Sequence, residues 1–84
     1  MNVTFTDDSW QEYLDWQTTD KKVLKKINAL IKDIKRDPFG GIGKPEALKY
    51  ELSGCWSRRI TNEHRVVYEV SSCCVVIISC KYHY

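Results

Sequence analysis

The second half of the chain alternates. "LKYEL", "CWSRRIT" and "HRVVYEV" switch between apolar and polar residues, "CCVVIISCKY" follows as a mostly apolar run, and only "SG", "NE" and "SS" stand between the four. Runs with a period of two read as strands, and two-residue separators read as hairpin connections. A chain of 84 residues built this way is committed to a mainly antiparallel sheet, and whatever precedes the hairpins must cover one of its faces.

What precedes them is a short strand and two helices. "NVTFT" alternates Val3 and Phe5 against polar neighbours. "DDSWQEYLDW" sets Trp10, Tyr13 and Leu14 at helical spacing, with acids in the first turn where the helix dipole favours them. Thr18, Thr19 and Asp20 supply a stop and a new cap. The next helix places Val23, Leu24, Ile27, Leu30, Ile31 and Ile34 on one stripe and lysines on the other. Lys35 and Arg36 close its last turn, and Pro38 forbids continuation. The expected fold is α+β over a single domain, residues 1–84: a short N-terminal strand, two helices, then a mainly antiparallel sheet with the helices packed on one face.

"DPFGGIGKPE" is the loop between the two halves. Its "GGIGK" is no phosphate loop: Pro38 stands where the first glycine belongs, Pro45 replaces the required Ser or Thr, and neither flanking element fits.

Side chains of a strand point to opposite faces in turn. Leu48, Tyr50 and Leu52 share one face against Lys49 and Glu51. Trp56 and Ile60 oppose Ser57, Arg59 and Thr61, while Val66, Tyr68 and Val70 oppose Arg65, Val67 and Glu69. In the last strand Cys74, Val76, Ile78 and Cys80 oppose Ser79, Lys81 and His83, unless a bulge reverses the assignment locally. One face is thus greasy, and the other collects Lys49, Arg59, Arg65, Lys81 and His83. Arg58 falls on the greasy side and is expected to escape at an edge. Four cations and an imidazole on one open face suit a phosphate; a merely solvated sheet face with scattered charges is the competing reading.

Composition narrows the class. Apolar residues make up 43% and aromatics 12%, a globular balance. No apolar run approaches a membrane span, and "MNVTFTDDSW" has neither the basic start nor the apolar core of a secretory signal. Cys55, Cys73, Cys74 and Cys80 lack zinc-ligand spacing; in a reduced cytoplasm they read as small buried or half-buried thiols. The formal charge of +2 is too small to argue for nucleic acid by itself. Lys21, Lys22, Lys25, Lys26 and Lys32, with Asp20 and Asp33 among them, read as a solvated helix face. Trp10, Trp16 and Trp56 read as core or interface, and His64 as a turn or edge residue.

Chain ends usually carry inexpensive polar residues, yet this one closes on "KYHY". Together with "GKPE", "LSGCWSRRIT" and "EHR", that ending strongly resembles the YoeB-like toxins of the RelE superfamily, the toxin halves of bacterial type II toxin–antitoxin pairs. "SWQEYLDWQTTDKKVLKKINALIKDIKRDPFGGIGKPE" extends the resemblance over essentially the whole chain. Cys55 and the Cys73–Cys74 pair are minor departures that touch none of the chemistry.

The resemblance implies a cytoplasmic, ribosome-dependent mRNA endoribonuclease that uses no metal and no cofactor. The 2′-hydroxyl of the message attacks the adjacent phosphate in the ribosomal A site, leaving a 2′,3′-cyclic phosphate or 3′-phosphate and a 5′-hydroxyl. Carried over by position, Glu46, Arg65, His83 and Tyr84 form the catalytic set, and Lys49, Arg59 and Lys81 bind RNA phosphate. The residue types suit the task. Glu46 in the loop serves as base; an unperturbed imidazole titrates near about 6.5, which suits His83 to the acid role. The two roles exchange without violating the sequence. Arg65 offers a planar fork to phosphate oxygens, and Tyr84 can stack on a base or hydrogen-bond the phosphate.

So few cleft cations imply weak, salt-sensitive binding of free RNA, with the ribosome supplying affinity and orientation. The implied partners are the ribosome, mRNA and a YefM-like antitoxin whose disordered C-terminal segment folds over the toxin, with a homodimer also open and no membrane association. The alternative is a non-catalytic toxin on the same fold, either a gyrase inhibitor or a module that blocks translation.

Overall fold

A computed structural model describes residues 1–82. In chain order the elements are β1 (Asn2–Phe5), α1 (Asp7–Thr19), α2 (Lys21–Arg36), β2 (Glu46–Ala47), a 3-10 turn (Tyr50–Leu52), β3 (Cys55–Arg59), β4 (Arg65–Val70) and β5 (Cys74–Ser79). The strands form one sheet in the order β1-β5-β4-β3-β2. β1 runs parallel to β5 and every other pairing is antiparallel. The helices that link β1 to the hairpins make that one parallel pairing possible.

Local chemistry sets the helix boundaries. The Thr6 hydroxyl accepts from the Ser9 N–H and caps α1. Asp20 serves both helices at once. Its N–H donates to the Trp16 carbonyl, ending α1, and its carboxylate accepts from the N–H groups of Lys22 and Val23, starting α2. Two helices meet across one residue because that residue satisfies orphan groups of both. The α2 stripe then fills the core: Ile27, Leu30 and Ile34 are fully buried against Val66, Tyr68, Val75 and Ile77. Each such side chain contributes about 1.5–3 kcal/mol of burial. The α2 lysines lie exposed, as the sequence pattern requires.

Three expectations are corrected. "LKYEL" is not a strand. Pairing stops at Ala47, and the chain turns through Tyr50, whose φ of +60° no strand accommodates. Tyr50 is 91% exposed, so Leu48, Tyr50 and Leu52 share no buried face.

In β5 the buried residues are Val75 and Ile77, not Val76 and Ile78. Tyr68 pairs with Ile77 and Val67 with Ser79, which leaves Ile78 as an extra residue. That bulge restores the anticipated parity just beyond it: Ser79 falls on the open face and Cys80 in the core.

Arg58 does not escape at an edge; it is completely buried. Among the other assignments, Trp16 is core, Trp56 is half-buried against Phe39, and Trp10 is 46% exposed, stacked on Tyr13. Cys55 and Cys80 are buried, Cys74 is half-buried and Cys73 is exposed, all as free thiols. No helix among the described residues is long and apolar enough to cross a membrane.

Candidate active site

The sheet face away from the helices carries a recess of about 160 Å³ lined by Glu46, Leu48, Ser57, Arg65 and Val67. Its floor is the pair Ser57 and Val67, which face each other across β3 and β4 and are 2% and 0% exposed. Glu46 sits on β2 opposite Ser57, and Arg65 opens β4 opposite Arg59. Strand spacing and rise then separate the Glu46 and Arg65 backbones by about 12 Å. Both side chains line the recess.

Arg59 and Arg65 are direct cross-strand partners on this face. Like charges so placed repel, and the salt bridges among the described residues, Arg36–Asp33 and Arg58–Asp33, involve neither. A dianionic or monoanionic ligand would relieve that repulsion.

The loop that delivers Glu46 is fixed from beneath by Arg58. Every guanidinium N–H of Arg58 has an acceptor. Nε donates to the Tyr68 hydroxyl (3.1 Å), Nη1 to Asp33 (2.5 Å) and the Ile42 carbonyl (3.1 Å), and Nη2 to the carbonyls of Asp37 (2.6 Å) and Gly40 (3.1 Å). The Tyr68 hydroxyl in turn donates a hydrogen bond to the Pro38 carbonyl at 2.7 Å. A buried cation is tolerable only when paired and fully hydrogen-bonded, and here three of its five acceptors are carbonyls of the loop, with the Asp33 carboxylate and the Tyr68 hydroxyl supplying the others. The glycines permit the wrap: a Cβ on Gly41 would lie 2.0 Å from an Asp33 oxygen, and one on Gly43 would lie 2.6 Å from Leu30. The Arg59 N–H to Gly43 carbonyl bond, 2.6 Å, then hands the chain on to β2.

Electrostatics follow the contacts. Arg36, then Arg58 and the Ile42 N–H, hold the Asp33 carboxyl well below the usual carboxylate range. Burial raises the Tyr68 phenol, and the Arg58 hydrogen bond pulls the other way.

Of the sequence-derived residues, the recess brings together Glu46 and Arg65, with Arg59 beside Arg65. Lys49 is exposed at the start of the 3-10 turn and is not in the lining. The Lys81 ammonium lies over the rings of Trp16 and Tyr82, at 5.9 and 5.6 Å. His83 and Tyr84 fall outside the described residues. Sequence reasoning missed Arg58. Its signal was present: a lone cation sharing parity with Trp56 and Ile60, and a lone acid, Asp33, flanking the apolar stripe of α2.

Over its whole length the chain superposes on the YoeB/ParE toxin from Agrobacterium tumefaciens, with a TM-score of 0.96, 50% identity and full coverage of both chains. The fold is therefore that of a small bacterial toxin. The sequence model describing the YoeB-like toxin of bacterial type II toxin–antitoxin systems matches residues 5–84, and the chain belongs to that family. Toxin YoeB of Escherichia coli K12 is 57% identical over 84 residues, covering all of both chains. The Staphylococcus aureus YoeB has been solved as a dimer (TM-score 0.92, 50% identity, 100% of this chain and 98% of that one) and in a heterotetrameric YoeB–YefM complex (TM-score 0.90, same identity and coverage).

Proposed function

We propose that this toxin acts as a ribosome-dependent, metal-independent mRNA endoribonuclease, and that the recess between Glu46 and Arg65 receives the scissile phosphate. The shared recess is the observation that supports the reading: a carboxylate, Glu46, and a forked cation, Arg65, both line it. The reaction needs a base at the 2′-hydroxyl and an acid at the departing 5′-oxygen. Glu46 takes the 2′ proton as that oxygen bonds to phosphorus. The bond from phosphorus to the 5′-oxygen breaks, and His83 supplies the proton the leaving oxygen needs. The products are a 2′,3′-cyclic phosphate and a 5′-hydroxyl. Arg65 binds the equatorial oxygens bidentately, Arg59 and Lys49 add field where charge accumulates, Lys81 contacts flanking phosphate, and Tyr84 stacks on a base or hydrogen-bonds the phosphate.

The chain also pairs, in this reading, with a YefM-like antitoxin, by analogy with the Staphylococcus aureus complex, and forms a homodimer as its relative there does. Primer extension on message recovered from cells expressing the chain tests the nuclease reading. Discrete, codon-phased 5′ ends support it. Intact message under arrested translation refutes it and favours a blocking module; cleaved DNA refutes it and favours a gyrase poison.

A further inference from the structure

We propose that His64 is a positioning residue that latches the backbone at Tyr82 against the β3–β4 hairpin through a single ring nitrogen. The Tyr82 N–H donates to His64 Nδ1 at 2.7 Å, and the Tyr82 carbonyl accepts from the Arg65 N–H at 2.9 Å. Both backbone polar groups of Tyr82 are thus tied to adjacent residues of the hairpin, His64 and Arg65, the second of which lines the recess.

The tie is built, not incidental. The Val67–Ser79 register, continued, would set Arg65 opposite Lys81; instead Arg65 bonds one residue further on, at Tyr82. The extra residue is absorbed by Tyr82 itself, whose φ is +60°. L side chains seldom take that conformation, and it persists only where surrounding contacts impose it. The His64 ring is well placed to impose it. Its backbone is fixed in the hairpin turn, with the Ile60 and Thr61 N–H groups donating to its carbonyl and the Thr61 hydroxyl accepting from its N–H. Its ring stands edge-on to Trp16 at 4.8 Å and against Tyr82 at 5.2 Å.

Residue 80 is held separately by α1: the Cys80 N–H donates to Glu12 at 2.8 Å, and the Trp16 indole N–H donates to the Cys80 carbonyl at 3.0 Å. Helix and hairpin therefore grip the chain two residues apart, and only the hairpin grip directs it toward Arg65. Accepting from an amide requires Nδ1 to be unprotonated, so the ring carries its proton on Nε2. The proposal rests on the reading of His83 and Tyr84 as RNA-facing groups, since they follow Tyr82 in the chain.

Two substitutions separate acceptor from ring. His64→Phe keeps a ring edge-on to Trp16 and deletes the acceptor, whereas His64→Asn sets an amide oxygen where Nδ1 stood. Amide exchange at Tyr82, followed by NMR in the full-length toxin, reads the latch directly. Exchange at Tyr82 is expected to accelerate at least about tenfold in His64→Phe and to stay near wild type in His64→Asn, with β4 amides unchanged in both. Cleavage of ribosome-bound message should lose roughly 10- to 100-fold in kcat with KM little altered in His64→Phe, the scale of a misplaced reacting group, and recover in His64→Asn. Unchanged Tyr82 exchange in His64→Phe, or an Asn variant no better than Phe, overturns the latch. If the wild type cuts no message, the nuclease reading falls while Tyr82 exchange still decides the latch.

Discussion

Arg59 and Arg65 face each other directly across the β3–β4 ladder. A sheet optimised for stability would set an acid against one of them, because opposed like charges destabilise by up to about 1 kcal/mol. Arg59→Gln should therefore leave the melting temperature unchanged or slightly higher while lowering RNA cleavage. Thermal unfolding and a cleavage assay on the same preparation check both halves. A variant that melts lower and cuts normally contradicts the pairing as a phosphate site.

The buried Arg58 depends on Asp33 for its charge partner. Truncating one member of such a pair strands the other, so Asp33→Ala should destabilise far more than Arg36→Ala, whose exposed guanidinium can turn to water. The same contacts make stability pH-dependent. The Asp33 carboxyl titrates lower in the folded chain than in the unfolded one. Its contribution is thus complete above the ordinary aspartate range near about 3.9 and is lost as pH falls through the folded value. Urea unfolding between pH 6 and strongly acidic buffer should show a steeper loss in wild type than in Asp33→Asn.

Asp20 caps one helix and ends another. Asp20→Ala should cost about 1 kcal/mol, or up to about 2 if both termini fray together. Denaturant titration measures it, and activity per folded molecule should not change, because the recess lies on the other side of the sheet.

The exposed thiol, Cys73, and the two buried ones, Cys55 and Cys80, should separate by reactivity. Burial pushes the Cys80 thiol up to about 12 and raises Cys55 as well, so both resist thiolate formation. Cys73 is exposed. A disulfide-exchange reagent at pH 8 should label Cys73 in the native toxin and reach Cys55 and Cys80 only after denaturant is added.

How much of this was legible follows from where each force acts. The α2 stripe and the Asp20 cap were readable because their partners lie within a few residues in sequence. The parity of β3 and β4 was readable because charged and apolar residues alternate there, and it set Arg59 and Arg65 on the open face. "VVII" in β5 is apolar at both parities, so nothing local marks the bulge at Ile78; the pairing with β4 decides it. Tyr50 fits a strand by composition but lies past the end of a two-residue edge pairing. Arg58 is stable in the core only because Asp33 and the loop carbonyls converge on it, and the Asp33 partner lies 25 positions away. Glu46 was found through the family motif, and the recess places it with Arg65.

The most direct test compares wild-type toxin with Glu46→Gln and Arg65→Ala on the same message, free in buffer and bound in the ribosomal A site, with the new ends identified chemically. Rapid cutting of ribosome-bound message alone, leaving 2′,3′-cyclic phosphate and 5′-hydroxyl ends and lost by at least about 100-fold in either folded variant, is the result predicted from a carboxylate and a guanidinium acting on one linkage. Equal cutting of free and bound message, or full activity in a folded Glu46→Gln toxin, would contradict it.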